Sequence, residues 1–122
     1  MAENRDYMTL PEEKGEIHIA GEVIAAISVG AVREIEGVSG MMTGNVMTDL
    51  TSKKGARRSI RGVKIDMTGD ALKLDLYLTV KYGYPIPEVA EHVQTAVSGS
   101  VEAMTGCPVE YVNVHVSGVS MG

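Results

Sequence analysis

Residues 62–81 read GVKIDMTGDALKLDLYLTVK and carry the clearest β-strand signal in the chain. Apolar and polar residues alternate along residues 63–68 and again along residues 72–81. Alternation with a period of two is typical of a strand that buries one face and exposes the other. Gly69 and Asp70, between the two runs, favour a tight turn. The stretch therefore predicts an antiparallel hairpin with one apolar and one polar face.

The residues after the hairpin predict a helix and a further strand. Apolar residues recur at helical spacing over residues 86–105, with Pro87 in the first turn and Gly106 at the end. Residues 109–117 alternate again, with valines on one side and polar residues on the other. Because a helix joins the two strands, we expect them to pair in parallel.

Residues 15–42 predict a strand at residues 16–19, a helix over residues 20–36 and a strand at residues 38–42. The helix has one apolar stripe toward the core and a second on its far side. The second stripe has two interpretations: another element of the same chain covers it, or it is a subunit contact. Its members are Ala25, Val29 and Val32.

Together these elements predict a two-layer α+β sandwich in the order β-α-(β)-β-β-α-β, with two helices on one face of a mixed sheet. The single domain spans residues 15–119, and residues 120–122 form the C-terminal end. Residues 1–14 lack a periodic pattern and predict a flexible N-terminal tail. Residues 44–60 are rich in turn-forming residues and predict a basic loop, with strand character near Val46 and Met47.

The 122 residues carry a formal net charge of −5, yet one segment is basic. Residues 44–61 hold five Lys or Arg against one Asp. The acidic remainder argues against nucleic acid as the main partner, since phosphate binding needs clustered cations. The sequence contains no run of about 18 apolar residues, so it predicts no membrane-spanning helix. The single cysteine, Cys107, excludes an internal disulfide and favours the cytoplasm.

The sequence lacks the residue patterns that carry catalysis or hold a metal. The three histidines, at positions 18, 92 and 115, are far apart, and Cys107 has no cysteine partner, so no metal site is predicted. Neither GxSxG, GxGxxG nor a P-loop is present. We therefore expect no enzymatic activity and no cofactor.

Besides the second helix stripe, two surfaces are candidates for binding. On the polar face of the sheet, His115 is expected near Tyr111 and near Tyr77 or Asp75, where a small polar site is conceivable. The basic segment is either a solvated loop or a docking site for an acidic partner, another copy or an anionic membrane. Its candidate residues are Lys53, Lys54, Arg57 and Arg58.

Several segments in this order resemble the alkaline shock protein family, also called the envelope stress response protein family of Gram-positive bacteria. GEIHI at residues 15–19 and LDLYLTVKYG at residues 74–83 carry part of the likeness. VEAMTG at residues 101–106, followed by VNVHVSGV at residues 112–119, is the strongest match. The likeness covers residues 15–119, although residues 44–60 do not match closely and Cys107 stands where an aliphatic residue is more usual.

The resemblance implies a cytoplasmic, non-enzymatic protein associated with envelope or alkaline stress. Some family members self-associate, some are held at the membrane by a separate anchor protein, and others are linked to lipid metabolism. The family brings no catalytic residues. We therefore expect a scaffold or adaptor that binds itself and a membrane-associated partner. Two alternatives stay open: an RNA-binding module that uses the basic residues 53–61, and a small-ligand protein that uses the open sheet face.

Overall fold

The computed structural model of the chain describes residues 7–42 and 57–121, and residues 57–60 are described by their backbone alone. Within these ranges the chain forms two helices and seven strands. The helices are α1 (Gly21–Arg33) and α2 (Ile86–Thr105). The strands are β1 (Tyr7–Glu12), β2 (Gly15–Ala20), β3 (Val38–Met41), β4 (Arg57–Ile60), β5 (Val63–Asp66), β6 (Leu72–Lys81) and β7 (Val109–Ser120).

Strand β6 lies at the centre of a five-stranded mixed sheet. On one edge it pairs in parallel with β7 along its whole length. On the other edge its first half pairs antiparallel with β5 and its second half pairs antiparallel with β3. Strand β4 extends the sheet beyond β5. The predicted hairpin and the predicted parallel unit are therefore both confirmed.

The hydrophobic core lies between one face of this sheet and the two helices. Alternate side chains of β6 point into it, and each is at most 1% exposed. Helix α2 contributes a stripe of buried valines at the spacing that the sequence predicts. The β6 residues of the core are Leu72, Leu74, Leu76, Leu78 and Val80. The structure is the predicted α+β fold, with both helices on one face of the sheet.

A two-residue turn joins β4 to β5. Its residues Arg61 and Gly62 have φ angles of 55° and 88°. Positive φ at both central positions is typical of a type I′ turn, whose twist matches that of a hairpin. A Cβ atom on Gly62 would lie 2.5 Å from the carbonyl oxygen of Met42. Glycine is therefore required here by both conformation and space.

Two predictions about irregular segments are wrong in part. Tyr7–Glu12 is not a flexible tail but strand β1, which pairs with β2 in a separate hairpin. Its register places Met8 opposite Ile19, and Met8 is buried at 4% exposure, so the hairpin contributes to the core. Arg57–Ile60 is not loop but strand β4. Residues 1–6, residues 43–56 with the predicted strand character at Val46 and Met47, and residue 122 lie outside the described residues.

The predicted helix bounds differ in accuracy. Helix α2 covers Ile86–Thr105, as the sequence predicts, and ends at Gly106, whose φ of 78° is left-handed. Helix α1 ends at Arg33, three residues before the predicted end at Glu36. Gly37 follows with a φ of 102°, and a Cβ there would lie 2.9 Å from the Tyr84 ring. The close approach of that ring explains why the chain turns toward β3 at a glycine.

Candidate functional site

The sheet face opposite the helices carries a cluster of polar and aromatic side chains at its centre. These side chains alternate with core residues along β5, β6 and β7, so strand geometry places them away from the helices. Register pairs Asp75 with Lys64 on one side and with Asn113 on the other. The same register sets Tyr77 beside His115. We call Lys64, Asp75, Tyr77, Asn113 and His115 the open-face cluster.

Asp75 is the acceptor at the centre of this cluster. Its Oδ1 atom accepts a hydrogen bond from Asn113 Nδ2 at 3.1 Å and lies 2.9 Å from His115 Nε2. The Asp75 side chain is 13% exposed, whereas that of His115 is 43% exposed. A carboxylate with little contact to water needs such partners, because an unpaired charge there costs free energy. The two β7 side chains thus hold Asp75 in place while His115 remains accessible.

The rings of Tyr77 and His115 stack in parallel. Their centroids are 4.3 Å apart and their planes differ by 6°. Lys64 Nζ lies over the Tyr77 ring, 6.0 Å from its centroid. An ammonium group over a ring at this distance is attracted by the ring electrons. Lys64, Tyr77 and His115 therefore form a row across β5, β6 and β7.

A similar pair exists in the hairpin at the start of the described chain. Tyr7 and His18 stack with centroids 4.6 Å apart and an interplanar angle of 21°. His18 Nε2 lies 3.1 Å from Glu16 Oε1. Here both ion-pair side chains are about half exposed, at 47% and 60%, so the hairpin pair lacks the shielded acid of the open-face cluster.

The candidate residues predicted from the sequence separate into three groups. Tyr77 and His115 are brought together on the open face, together with the expected neighbour Asp75. The second stripe of α1 is buried inside the chain. The interpretation that another element of the same chain covers it is therefore confirmed, and a subunit contact through these residues is not. Ala25 is 0%, Val29 9% and Val32 1% exposed.

The basic candidate residues lie in or beside residues 43–56, which the structure does not describe. Lys53 and Lys54 lie beyond the described residues. Arg57 and Arg58 belong to β4, and only their backbone is described. The basic segment therefore stays a prediction from the sequence.

Sequence reasoning missed Lys64 and Asn113. Both stand at polar positions of alternating strands, so their face could be found from the pattern. Their neighbours could not, since these depend on the register between strands.

In the described ranges, no group of three or more His, Cys, Asp or Glu is placed to hold a metal ion. Cys107 is fully buried in the core, where a free cysteine packs as a small apolar residue.

The comparisons with known proteins connect this fold to a family. The sequence model of the alkaline shock protein 23 family, described as having a cell envelope-related function, matches residues 9–121. The chain belongs to this family. Its relatives include YloU of Bacillus subtilis, an uncharacterized protein that is 39% identical over 106 residues, covering 86% of this chain and 88% of YloU.

Two further relatives extend the match. YqhY of Bacillus subtilis is 34% identical, covering 86% of this chain and 77% of YqhY. Spy1614 of Streptococcus pyogenes is 30% identical, covering 88% of this chain and 89% of Spy1614. Among solved structures, two MamM CTD chains match with TM-scores of 0.45 and 0.46 at 18% and 17% identity. Each covers 80% of this chain and more than nine-tenths of the MamM CTD, at 93% and 96%.

The family assignment confirms the resemblance to alkaline shock proteins and a function related to the cell envelope. No helix among the described residues is long and apolar enough to cross a membrane.

Proposed function

We propose that the chain is a non-enzymatic scaffold of the cell-envelope stress response, located in the cytoplasm, that binds a second copy of itself and a membrane-associated partner protein. The observation that supports this function is the sheet face that no helix covers. On it, Tyr77 and His115 stack beside the carboxylate of Asp75, which is hydrogen-bonded to Asn113 and His115. The cell envelope-related function of the family supports the cellular setting.

The open-face cluster has the chemistry of a protein-binding surface. Tyrosine is enriched at protein interfaces because its ring supplies contact area and its hydroxyl supplies a hydrogen bond. Asp75 already accepts hydrogen bonds from two side chains of its own chain, so the geometry of the cluster is set before a partner arrives. A surface organised in advance loses less conformational entropy on binding.

The membrane-partner part of the proposal is tested by flotation with three kinds of vesicle. Purified protein is mixed with native membrane vesicles, with the same vesicles after protease treatment, and with liposomes of pure lipid. We expect co-flotation with the native vesicles alone, because the partner is a membrane protein. Equal binding to pure liposomes would contradict the proposal and indicate direct lipid binding.

A pair of matched variants then tests the surface. Tyr77→Ala with His115→Ala removes the ring stack and should abolish flotation. Glu91→Ala with Thr95→Ala changes two exposed residues of α2 and should leave flotation unchanged. Circular dichroism of both variants confirms that they are folded. Flotation of the first variant at the level of the native chain would remove the open-face cluster from the proposal.

A second candidate function is the binding of a small polar ligand at the same cluster. It is favoured by the convergence of an acid, an imidazole and a phenol ring at Asp75, His115 and Tyr77. A bound ligand raises the melting temperature by mass action. A thermal-shift screen of nucleosides, sugars and amino acids tests it, and a shift that persists in Asp75→Asn with Tyr77→Ala would place the ligand elsewhere.

A further inference from the structure

The outer edge of β7, a strand of 12 residues, pairs with no other strand in the described ranges. In the described part of the chain, β7 pairs with β6 alone. Natural edge strands are usually short, charged, interrupted by proline or twisted by a bulge, because an open edge pairs readily with another strand. Residues 111–120 of β7 read YVNVHVSGVS and contain no Asp, Glu, Lys, Arg or Pro. Charge and proline therefore do not protect this edge.

The backbone hydrogen bonds of β6 reveal which β7 groups point outward. Leu72 N–H donates to Pro108 O, and Tyr82 N–H donates to Ser120 O, each at 2.8 Å. The even-numbered residues of β6 thus face β7, and each bonds to the two residues that flank its β7 partner. Since Leu74 pairs with Val112 and Leu76 with Val114, the backbone groups of Val112, Val114 and Val116 point away from β6.

Two features limit how much of this edge is available. Val109 N–H donates to Glu102 Oε2 of α2 at 2.9 Å, and Gln94 Nε2 of α2 donates to Val112 O at 3.0 Å, so outward groups at the start of the strand are occupied. The Gln94 bond agrees independently with the outward direction of the Val112 carbonyl. At the other end, the register with β6 shifts between Leu78 and Thr79, which leaves Ser117 as an extra residue. Between these limits, the outward groups of Val114 and Val116 have no partner among the described residues.

The geometry points to antiparallel pairing of β7 with β7 of a second copy, about a two-fold axis at His115, so that Val114 of each copy bonds to Val116 of the other. This inference rests on the self-binding part of the proposed function and names its surface. The register uses both free outward residues and leaves the Gln94 bond intact. It also sets valine opposite valine on the helix side and joins the two sheets into one.

Exposed apolar residues at the end of β7 and a groove at its start favour a second copy of the chain as the partner strand. Val119 and Met121 are 51% and 76% exposed, and Val119 lies on the helix side because it pairs with the buried Val80. A groove of about 320 Å³ lies between α2 and the start of β7. Its lining includes Gln94, Ser98, Val109 and Val112. An antiparallel second copy lays its own strand end along this groove, so each chain carries both halves of the contact.

Disulfide trapping tests the register. At the axis, the two His115 residues form a non-hydrogen-bonded pair with Cα atoms about 4.5 Å apart, which a disulfide can bridge. The His115→Cys variant should therefore form a covalent dimer under mild oxidation. The matched control is Asn113→Cys, on the same face of the same strand. The two Asn113 residues would be roughly 14 Å apart, so this variant should stay uncrosslinked. The native chain controls for Cys107, which is fully buried.

A second variant tests the edge without a cysteine. Val114→Pro removes an N–H that points away from β6, so the ladder with β6 keeps its hydrogen bonds. It deletes an edge donor in each copy and should weaken dimerisation at least about tenfold, as measured by sedimentation velocity. Circular dichroism checks that the variant is folded, and if it is not, the trapping result decides.

The outcomes distinguish this inference from the proposed function. A dimeric native chain, a trapped His115→Cys and a monomeric Val114→Pro would support the edge pairing. A native dimer in which His115→Cys is not trapped, or in which Asn113→Cys is trapped equally well, would overturn the pairing and leave self-binding intact. A native chain that stays monomeric at high micromolar concentration would overturn both, while flotation would still decide the membrane-partner part.

Discussion

The two faces of strand β6 are built from alternating residues of one segment, yet they are stabilised in different ways. On the helix side, Leu74, Leu76 and Leu78 are fully buried in the core. On the open side, Asp75 and Tyr77 are partly exposed and are held by side chains of β5 and β7. The first face gains stability from apolar area removed from water, about 25 cal/mol per Å². The second depends on directional contacts of about 1 kcal/mol each.

One strand can therefore serve two purposes. The side chains on the helix side are removed from water almost completely, so they can support a fold whose other face is left to water. The open face then needs only enough internal contacts to hold its side chains in place. Three predictions test this division, from the largest expected effect to the smallest.

The first prediction compares one residue from each face. Leu76→Ala leaves a cavity beneath the helices and should lower the free energy of unfolding by about 2–5 kcal/mol. Lys73→Ala should lower it by about 1 kcal/mol, since it removes an ion pair of 3.8 Å with the exposed Glu110 and a hydrogen bond of 3.3 Å to Thr68 O. Urea denaturation followed by circular dichroism measures both. Equal losses would show that the faces do not differ in this way.

The second prediction concerns the carboxylate of the open-face cluster. Asp75→Ala removes the acceptor of Asn113 and His115 and should cost about 1–3 kcal/mol, because these donors lose their partner. Asp75→Asn keeps a carbonyl oxygen in the same place and should cost less. The same urea titration applies, and an alanine variant as stable as the asparagine variant would argue against the central role of Asp75.

The third prediction compares the two stacked Tyr–His pairs by double-mutant cycles. Replacing Tyr77 and His115 by leucine, singly and together, should give a coupling energy of about 0.5–1.5 kcal/mol. The matched pair Tyr7 and His18, less parallel and in the hairpin, should give a smaller value. A larger coupling in the hairpin would mean that parallel stacking on the sheet contributes little.

Much of the fold could be predicted from the sequence because its strongest patterns are local. The alternation of residues 72–81 and the stripe of residues 86–105 give β6 and α2 nearly to the residue. Strand β1 was not predictable in the same way. Its alternation is limited to Met8 and Leu10, and Pro11, which follows directly, is a residue type that disfavours a strand. Strand β4 was missed because apolar and polar residues do not alternate along Arg57–Ile60. Its pairing with β5 depends on the turn at Arg61 and Gly62.

The candidate site was predictable in part for the same reason. The polar face of β6 and β7 follows from alternation, so Tyr77 and His115 could be assigned to one surface. The direct stack between them, the bonds to Asp75 and the position of Lys64 depend on a particular register across three strands. A shift of two residues would keep every side chain on its face and change every neighbour.

The sequence indicates which residues of β5, β6 and α2 face the core and which face water, because strand and helix periods are properties of the local chain. It also carried the family, through the order and spacing of its segments. That the chain itself covers the second stripe of α1 is visible in the folded molecule alone, since burial depends on what packs against a helix. The same holds for the open edge of β7, because which strand lies last in a sheet follows from the path of the whole chain.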